Sequence, residues 1–400
     1  MLTTAGLLAF VLLPGVQQAL GLLDYGRWFL DSYAILASND AMRAGLDTAQ
    51  SNPLDVLHRS HVYSGWWFAL GSCGLTREDN FLVGGLWVLG FLAVAGMTLR
   101  PRSMREAVWM SVLMLSPPVL LAVNRANNDL VIFALLGIAG LTLVRPGRTG
   151  MTIASAAIAV AMGLKLYPAV AACVFGLLRP RRRLVTATAL LAGLLVIVGL
   201  SIWGDFMRIH IPAPTGMYTF GAKVLLREVG WTGHLAHGGI VAVFVIVGYV
   251  LQRHGWTRGL GQAGDPAIGL FVIGAAVLVG CFLAGVSFGY RWIFALWTAP
   301  WLWQQAHDLE IPQRQRQIAY LAVWLLPVVL WVDGFFCALV NLFAEAVASD
   351  LVDQWELIWR GFTQSLVWLF MGLLAGWLAE LLVNVWRMLQ RGESSHVTKY

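Results

Sequence analysis

Glycine-punctuated apolar runs recur along the whole chain, separated by short polar loops. A run of about 20 apolar residues is long enough to cross a bilayer as a helix. Such runs fall at 2–23, 81–99, 107–123, 130–144, 184–202, 240–252, 266–285, 291–306, 318–332 and 362–386. The stretch 151–178 differs from the rest. Arginine-rich segments flank it on both sides, and Gly163-Leu-Lys165-Leu-Tyr167-Pro168 lies at its middle. Proline ends a helix there. A hairpin of two half-length helices, with Lys165 at its apex, keeps both flanks on one side. Backbone broken at membrane depth is tolerated only inside protein or beside a water-filled cavity, so the pattern predicts a cavity at Lys165. The expectation is an all-α polytopic membrane protein, a bundle of about twelve transmembrane or half-membrane helices. The polar stretch 24–80 forms a large outer loop after the first helix.

Charge adds sidedness. Charged residues are 12% and hydrophobic residues 58% of the 400, against roughly 25% charged in a soluble domain. One group of loops is short and arginine-rich: 100–105, 145–148, 179–183, 253–258, 314–316 and the tail from Arg387. Counted with its flanks, it holds 16 Lys and Arg against 6 Asp and Glu. The other group, 24–80, 124–129, 203–239, 285–291 and 333–361, holds 10 against 15. Positive charge is retained on the cytoplasmic side, so the first group reads as inside and the second as outside. The net charge of +6 thus reflects topology and anionic lipid head groups, not a nucleic-acid partner. The first run lacks a basic leader and reads as a retained helix rather than a signal peptide. The four cysteines are scattered and show neither a metal spacing nor a disulfide framework. Gly285-Val-Ser-Phe-Gly289 fits a nucleophile-elbow pattern but lacks the strand-turn-helix context that motif needs.

Three constellations carry chemistry. In the outer loop, apolar residues recur at helical spacing from Phe29 to Ala44, and Gly45 stops the helix. Asp31 sits in its first turn, either as a functional acid or as a helix cap. Downstream lie Asp47, Asp55 and the polar–aromatic stretch His58-Arg59-Ser-His61-Val-Tyr63-Ser-Gly-Trp66-Trp67, which suits sugar faces, although an interfacial aromatic belt is the commoner setting for Trp66 and Trp67. The second constellation is the tight turn Asn124-Arg125-Ala-Asn127-Asn128-Asp129. The third is a pair of cations at membrane depth, Lys165 and Arg291, the latter in Gly289-Tyr290-Arg291-Trp292. Such charges are costly and mark functional sites, unless an ion pair or snorkelling accounts for them.

These pieces, in this order, resemble the GT-C superfamily of polytopic glycosyltransferases, and within it glycosyltransferase family 87. The residues that carry the likeness are Asp31-Ser-Tyr33 leading to Gly45-Leu-Asp47, Arg125-Ala-Asn127-Asn128-Asp129-Leu130, Lys165-Leu-Tyr167-Pro168 and Tyr290-Arg291. Two departures bear on the donor sugar. Asp47-Thr-Ala stands where the family usually has Asp-Pro-Tyr, and Asn127 where a Gly-Asn pair is more usual.

The resemblance implies a GT-C-like fold in one polytopic domain, residues 1–400. Residues 1–202 form the catalytic core with the outer loop, and 203–400 complete the donor cavity. It implies transfer of a hexose, mannose first among candidates, from a polyprenyl-phosphate-linked donor to a hydroxyl of a glycan, lipid or protein acceptor. The reaction takes place at the outer face of a bacterial cytoplasmic membrane, with inversion, and requires neither metal nor cofactor. Asp31 is then the catalytic base, and Lys165, Arg291 and Arg125 meet the donor phosphate. Tyr33, Asp47, His61, Asn127, Asp129, Tyr167 and Tyr290 bind donor or acceptor. The runner-up is a multi-pass transporter or flippase for an anionic or lipid-linked substrate. It expects charges along several spans and related halves, neither of which is evident.

Overall fold

A computed structural model describes residues 2–22, 27–143, 147–208, 218–228, 233–260, 265–343 and 349–390. Asp24, Arg145, Pro146 and the tail from Arg391 lie outside them. The helices are α1 (Leu2–Leu12), α2 (Pro14–Ala19), α3 (Leu30–Arg43), α4 (Ala69–Ser72), α5 (Asn80–Thr98), α6 (Met104–Met114), α7 (Pro117–Asn124), α8 (Asp129–Leu143), α9 (Arg148–Leu164), α10 (Arg181–Arg208), α11 (Ala222–Glu228), α12 (His234–Arg253), α13 (Pro266–Ala284), α14 (Thr298–His307), α15 (Gln313–Phe343) and α16 (Ser349–Gln390). Four 3₁₀ segments, Gly65–Phe68, Arg77–Asp79, Tyr167–Leu177 and Gly289–Trp297, complete the ordered elements. Among the described residues there is no β-strand, only a bridge that pairs Phe220 with Ser287. The chain is an all-α polytopic membrane protein. Among the described residues six helices are long and apolar enough to span a bilayer, and α6 with α7 adds a seventh if the bent pair is one span. Leu2–Leu12, Asp129–Leu143, Arg148–Leu164 and Tyr167–Leu177 are shorter apolar helices.

Prolines decide where the runs break. The 2–23 run splits at Pro14, and the 107–123 run bends by 56° between α6 and α7. Pro117 opens α7 at a position where a missing N–H costs nothing. The 151–178 stretch breaks where its sequence predicts. Helix α9 stops at Leu164, Lys165 is extended (φ −152°, ψ 142°), and Pro168 forbids continuation. The two arms pack against each other, but they are not equal half-helices. The first is a 17-residue α-helix starting at Arg148, and the second is 3₁₀.

The charge-based reading of 333–361 as an outer loop is corrected. Helix α15 runs on to Phe343 and α16 begins at Ser349. The two long helices pack against each other. Glu356 and Arg360 pair at 2.5 Å one turn apart, so polar residues here are carried on helix rather than loop.

Helix α13 is the axis of the bundle. Of its apolar window 72% is buried in protein, against 17% for α12, which faces lipid. Glycine lets neighbours come close to it. A Cβ on Gly274 would lie 2.6 Å from the Phe294 carbonyl oxygen, and one on Gly137 of α8 2.4 Å from a Val94 methyl. Phe133 stacks on Trp297 at 4.0 Å between centroids, which joins α8 to the Gly289–Trp297 segment.

Helix α3 forms where its apolar period predicts, but it is no half-solvated surface helix. Ser32, Ser38 and Asn39 on its polar side are as buried as Ile35 and Leu36. The rest of the outer loop folds over that side. Ser32 donates to Asn80 Oδ1 at 2.6 Å, and Asn39 Oδ1 accepts from the Gly71 amide at 2.8 Å.

The tight approach at Gly274 is testable. Gly274→Ala forces helix displacement against a backbone carbonyl and is expected to cost about 1–3 kcal/mol, the usual range for overpacking. Gly96→Ala, where nothing lies within 4 Å of the added Cβ, is the control. Thermal unfolding in detergent measures both, and equal midpoints would show that α13 is not tightly packed.

Candidate active site

The site begins with backbone. The first turn of a helix has amides that its own carbonyls cannot satisfy. At the start of α3 they dock on the turn after α7. The Phe29 amide donates to the Asn124 carbonyl at 2.8 Å and the Asp31 amide to the Arg125 carbonyl at 2.9 Å. Phe29 (φ 63°) and Ala126 (φ 41°) take left-handed backbone on either side of this junction. The outer loop is thereby fixed to the 124–129 turn, and Asp31 lies over it.

Asp31 accepts four hydrogen bonds. Arg125 forks onto it through Nε at 3.0 Å and Nη2 at 2.7 Å, Arg59 Nη1 reaches it at 2.9 Å, and Asn127 Nδ2 at 2.6 Å. Arg59 also holds buried Asp55 through Nε at 2.8 Å and Nη2 at 2.9 Å. Burial pushes the Asp31 carboxyl up. The Arg125 charge and fork, then Arg59 and Asn127, outweigh it and hold the carboxyl well below the usual carboxylate range.

Asn127 joins this group to a second one. Its Oδ1 accepts the Asp129 amide at 2.9 Å, while its Nδ2 holds Asp31. Asp129 opens α8 and is fully buried. Its Oδ1 accepts from Lys165 Nζ at 2.5 Å and Tyr167 Oη at 2.7 Å, and its Oδ2 faces Arg291 Nε at 3.8 Å. The Lys165 ammonium lies 5.5 Å from each of the Tyr63 and Tyr290 ring centroids and 6.0 Å from that of Tyr167. The Arg291 guanidinium covers Tyr167 at 4.8 Å and donates to Ser287 Oγ at 3.0 Å. The two membrane-depth cations are thus ion-paired, the bland alternative the sequence left open. The pairing still leaves them reachable. The side chains of Lys165, Arg291, Arg125 and Arg59 are 10%, 20%, 21% and 26% exposed, against 5% for Asp31 and 0% for Asp129. The four cations thus keep more exposure than the carboxylates they pair with. Four cations against Asp31, Asp55 and Asp129 leave a net charge of +1.

The structure therefore brings Asp31, Arg125, Asn127, Asp129, Lys165, Tyr167, Tyr290 and Arg291 together. It leaves three other candidates outside the two groups. Tyr33 lies under Arg27 at 4.8 Å and makes a long 3.4 Å bond to the Leu54 carbonyl. Asp47 is exposed and accepts its own loop's Ala49 amide at 2.9 Å. His61 stacks on Phe68 at 4.6 Å, and burial pushes its imidazole down to about 4, so it is neutral. Arg59, Asp55 and Tyr63 join the site unselected. For Arg59 and Tyr63 the signal was the polar–aromatic stretch 58–67, and Asp55 stood just before it; neither carries a mark of depth. Among the described residues no three His, Cys, Asp or Glu side chains converge as a metal site.

A comparison with curated proteins and one with solved structures each found no match. The model of Glycosyltransferase family 87 matches residues 80–293. That stretch includes the 124–129 turn, Lys165, Tyr167, Tyr290 and Arg291, and starts after Asp31. It spans more than half of the chain, which therefore belongs to glycosyltransferase family 87.

Proposed function

We propose that this membrane glycosyltransferase moves a hexose, mannose being the first candidate, from a polyprenyl-phosphate-linked donor to a hydroxyl of a glycan, lipid or protein acceptor. The reaction occurs on the outer face of a bacterial cytoplasmic membrane. The observation that carries the reading is that the site's cations are more exposed than the carboxylates they pair with and leave a residual charge of +1. A phosphodiester brings one negative charge and neutralises it. Arg125 and Arg291 offer forks to phosphate oxygens, and Lys165 offers a point charge.

Asp31 serves as base. It takes the proton of the acceptor hydroxyl as the acceptor oxygen bonds to the anomeric carbon. The bond from that carbon to the phosphate oxygen breaks in line, and its electron pair leaves with the polyprenyl phosphate. One displacement inverts the anomeric centre, unlike the paired-carboxylate retaining route. The resting Asp31 is a weak base because Arg125 grips it. A donor phosphate that draws the Arg125 fork away strengthens the base when it is needed.

Sidedness is read with single cysteines. A cysteine at Ser51 is expected to react with an impermeant thiol reagent added to intact cells, and one at Thr186 is not. The opposite pattern reverses the assignment.

Asp31→Asn is expected to lower kcat by about 10²–10⁴, the range for a lost general base, with polyprenyl-phosphate binding retained. The pH dependence gives a second check. The kcat/KM profile reports the free enzyme, so its acid limb should lie below the ordinary aspartate value of about 4. Removing a neighbouring cation raises a carboxylate's pKa, so Arg125→Ala should move the limb upward. A limb that stays put would remove Asp31 from the role.

For the phosphate, Lys165→Ala and Arg291→Ala are each expected to weaken polyprenyl-phosphate binding by about 2–5 kcal/mol, the cost of truncating one partner of a desolvated charge pair. Asp129→Asn should act in the opposite sense, because it frees both cations. Titration of the purified protein with polyprenyl phosphate measures all three. Polyprenyl phosphate bound by both the lysine and the arginine variant as tightly as by wild type contradicts the assignment.

A further inference from the structure

The α9 break that exposes Lys165 also leaves a bare helix end. The last four carbonyls of a helix lack partners within it, and that end carries partial negative charge. A phosphate beside Lys165 would face carbonyls that repel it. In this fold the outer loop covers them. Ser64 Oγ donates to the Gly163 carbonyl at 2.5 Å and Trp67 Nε1 to the Leu164 carbonyl at 3.1 Å. The Lys165 amide takes the Ala161 carbonyl at 2.9 Å. Trp66 packs closely on the helix end, where a Cβ on Gly163 would fall 2.3 Å from the indole.

The same four-residue segment, Ser64 to Trp67, is tied on two further sides. On α10, the Gly65 amide donates to Asp205 Oδ2 at 2.6 Å and Trp66 Nε1 to Ser201 Oγ at 3.2 Å. On α3, Asn39 Nδ2 donates to the Trp67 carbonyl at 3.2 Å. The strap thus runs from the helix that carries Asp31 to the helix that ends at Lys165. Ser64 and Trp67 are themselves buried and touch neither ion group.

We infer that Ser64 and Trp67 are positioning residues for Lys165. They cover the negative end of α9 and hold the lysine at a fixed distance from the Asp31 helix, so that donor phosphate meets the ammonium rather than bare carbonyls. This rests on the donor-phosphate reading above.

The test uses the full-length protein in lipid nanodiscs, with C55 polyprenyl phosphate as probe. Ser64→Ala and Trp67→Phe are each expected to raise its Kd roughly three- to tenfold, the scale of one lost hydrogen bond, and Ser64→Thr to restore it. In a Lys165→Ala background Ser64→Ala should add little, because the group it positions is gone. A lowered thermal midpoint with unchanged Kd would make the strap a structural staple only and overturn the inference. So would an undiminished effect in the Lys165→Ala background. Hydrogen exchange decides independently of the ligand. Ser64→Ala should speed exchange across residues 161–167. If the wild type binds no polyprenyl phosphate, the donor reading fails by itself. Unchanged exchange at 161–167 sinks the strap whatever the donor.

Discussion

Asp129 is a fully buried carboxylate at the start of an apolar helix, and burying an ionised carboxylate without partners costs far more than a fold can spare. Its three partners come from two separate places: Lys165 and Tyr167 across the break after α9, and Arg291 in the 3₁₀ segment before α14. The constraint is mutual. The α9 helix has to stop at Lys165 for the ammonium to reach Asp129, and the Gly289–Trp297 segment has to lie against α8 for the guanidinium to face it. The small residues around α13 permit that proximity. The most irregular backbone in the membrane part is therefore also the backbone most tightly specified by charge.

Asn127 extends the constraint outward. One side-chain amide serves both acidic residues: its oxygen accepts the backbone N–H of Asp129, and its nitrogen donates to the Asp31 carboxylate. The outer loop then docks on the same turn by two backbone bonds. Loop, turn and re-entrant break form one unit, and α3 is buried because it is a wall of that unit. A glycosyltransferase that must keep water from its anomeric centre has a use for such a roof, since water competes with the acceptor hydroxyl.

What the sequence made legible was local. The α9 break rests on Lys165 and Pro168 being neighbours, the α3 helix on an apolar period ending at Gly45, and the α7 start on Pro117. Each needs only a few residues to be read. The Asp129–Lys165 pair spans 36 positions and leaves no local trace. Lys165 therefore read as a cation waiting for phosphate and Asp129 as a sugar ligand. Tyr33, Asp47 and His61 have the right chemistry for a sugar site, but chemistry does not give depth. Arg59 was passed over for the same reason, although it grips Asp31. The 333–361 error was of another kind: charge marks a side of the membrane, but long packed helices carry charges beyond it.

On the proposed reaction, the pairing of cations with carboxylates is what makes the site selective for the transition state. Free cations would hold the donor tightly from the start, and binding that is equal in ground and transition states does not raise kcat. Here each cation already has an anionic partner, so the donor's one negative charge meets only the residual +1 and is not overheld in the ground state. As the bond to the anomeric carbon breaks, the leaving phosphate moves toward the charge of a monoester, about −1.5 to −2. Its pull on Lys165, Arg291 and Arg125 grows in step. Each increment that draws Arg125 from Asp31 also strengthens Asp31 as a base while the acceptor hydroxyl becomes more acidic. Leaving-group charge and base strength are coupled through one guanidinium, while the carboxylates' burial is met in the resting fold by the pairs they already make.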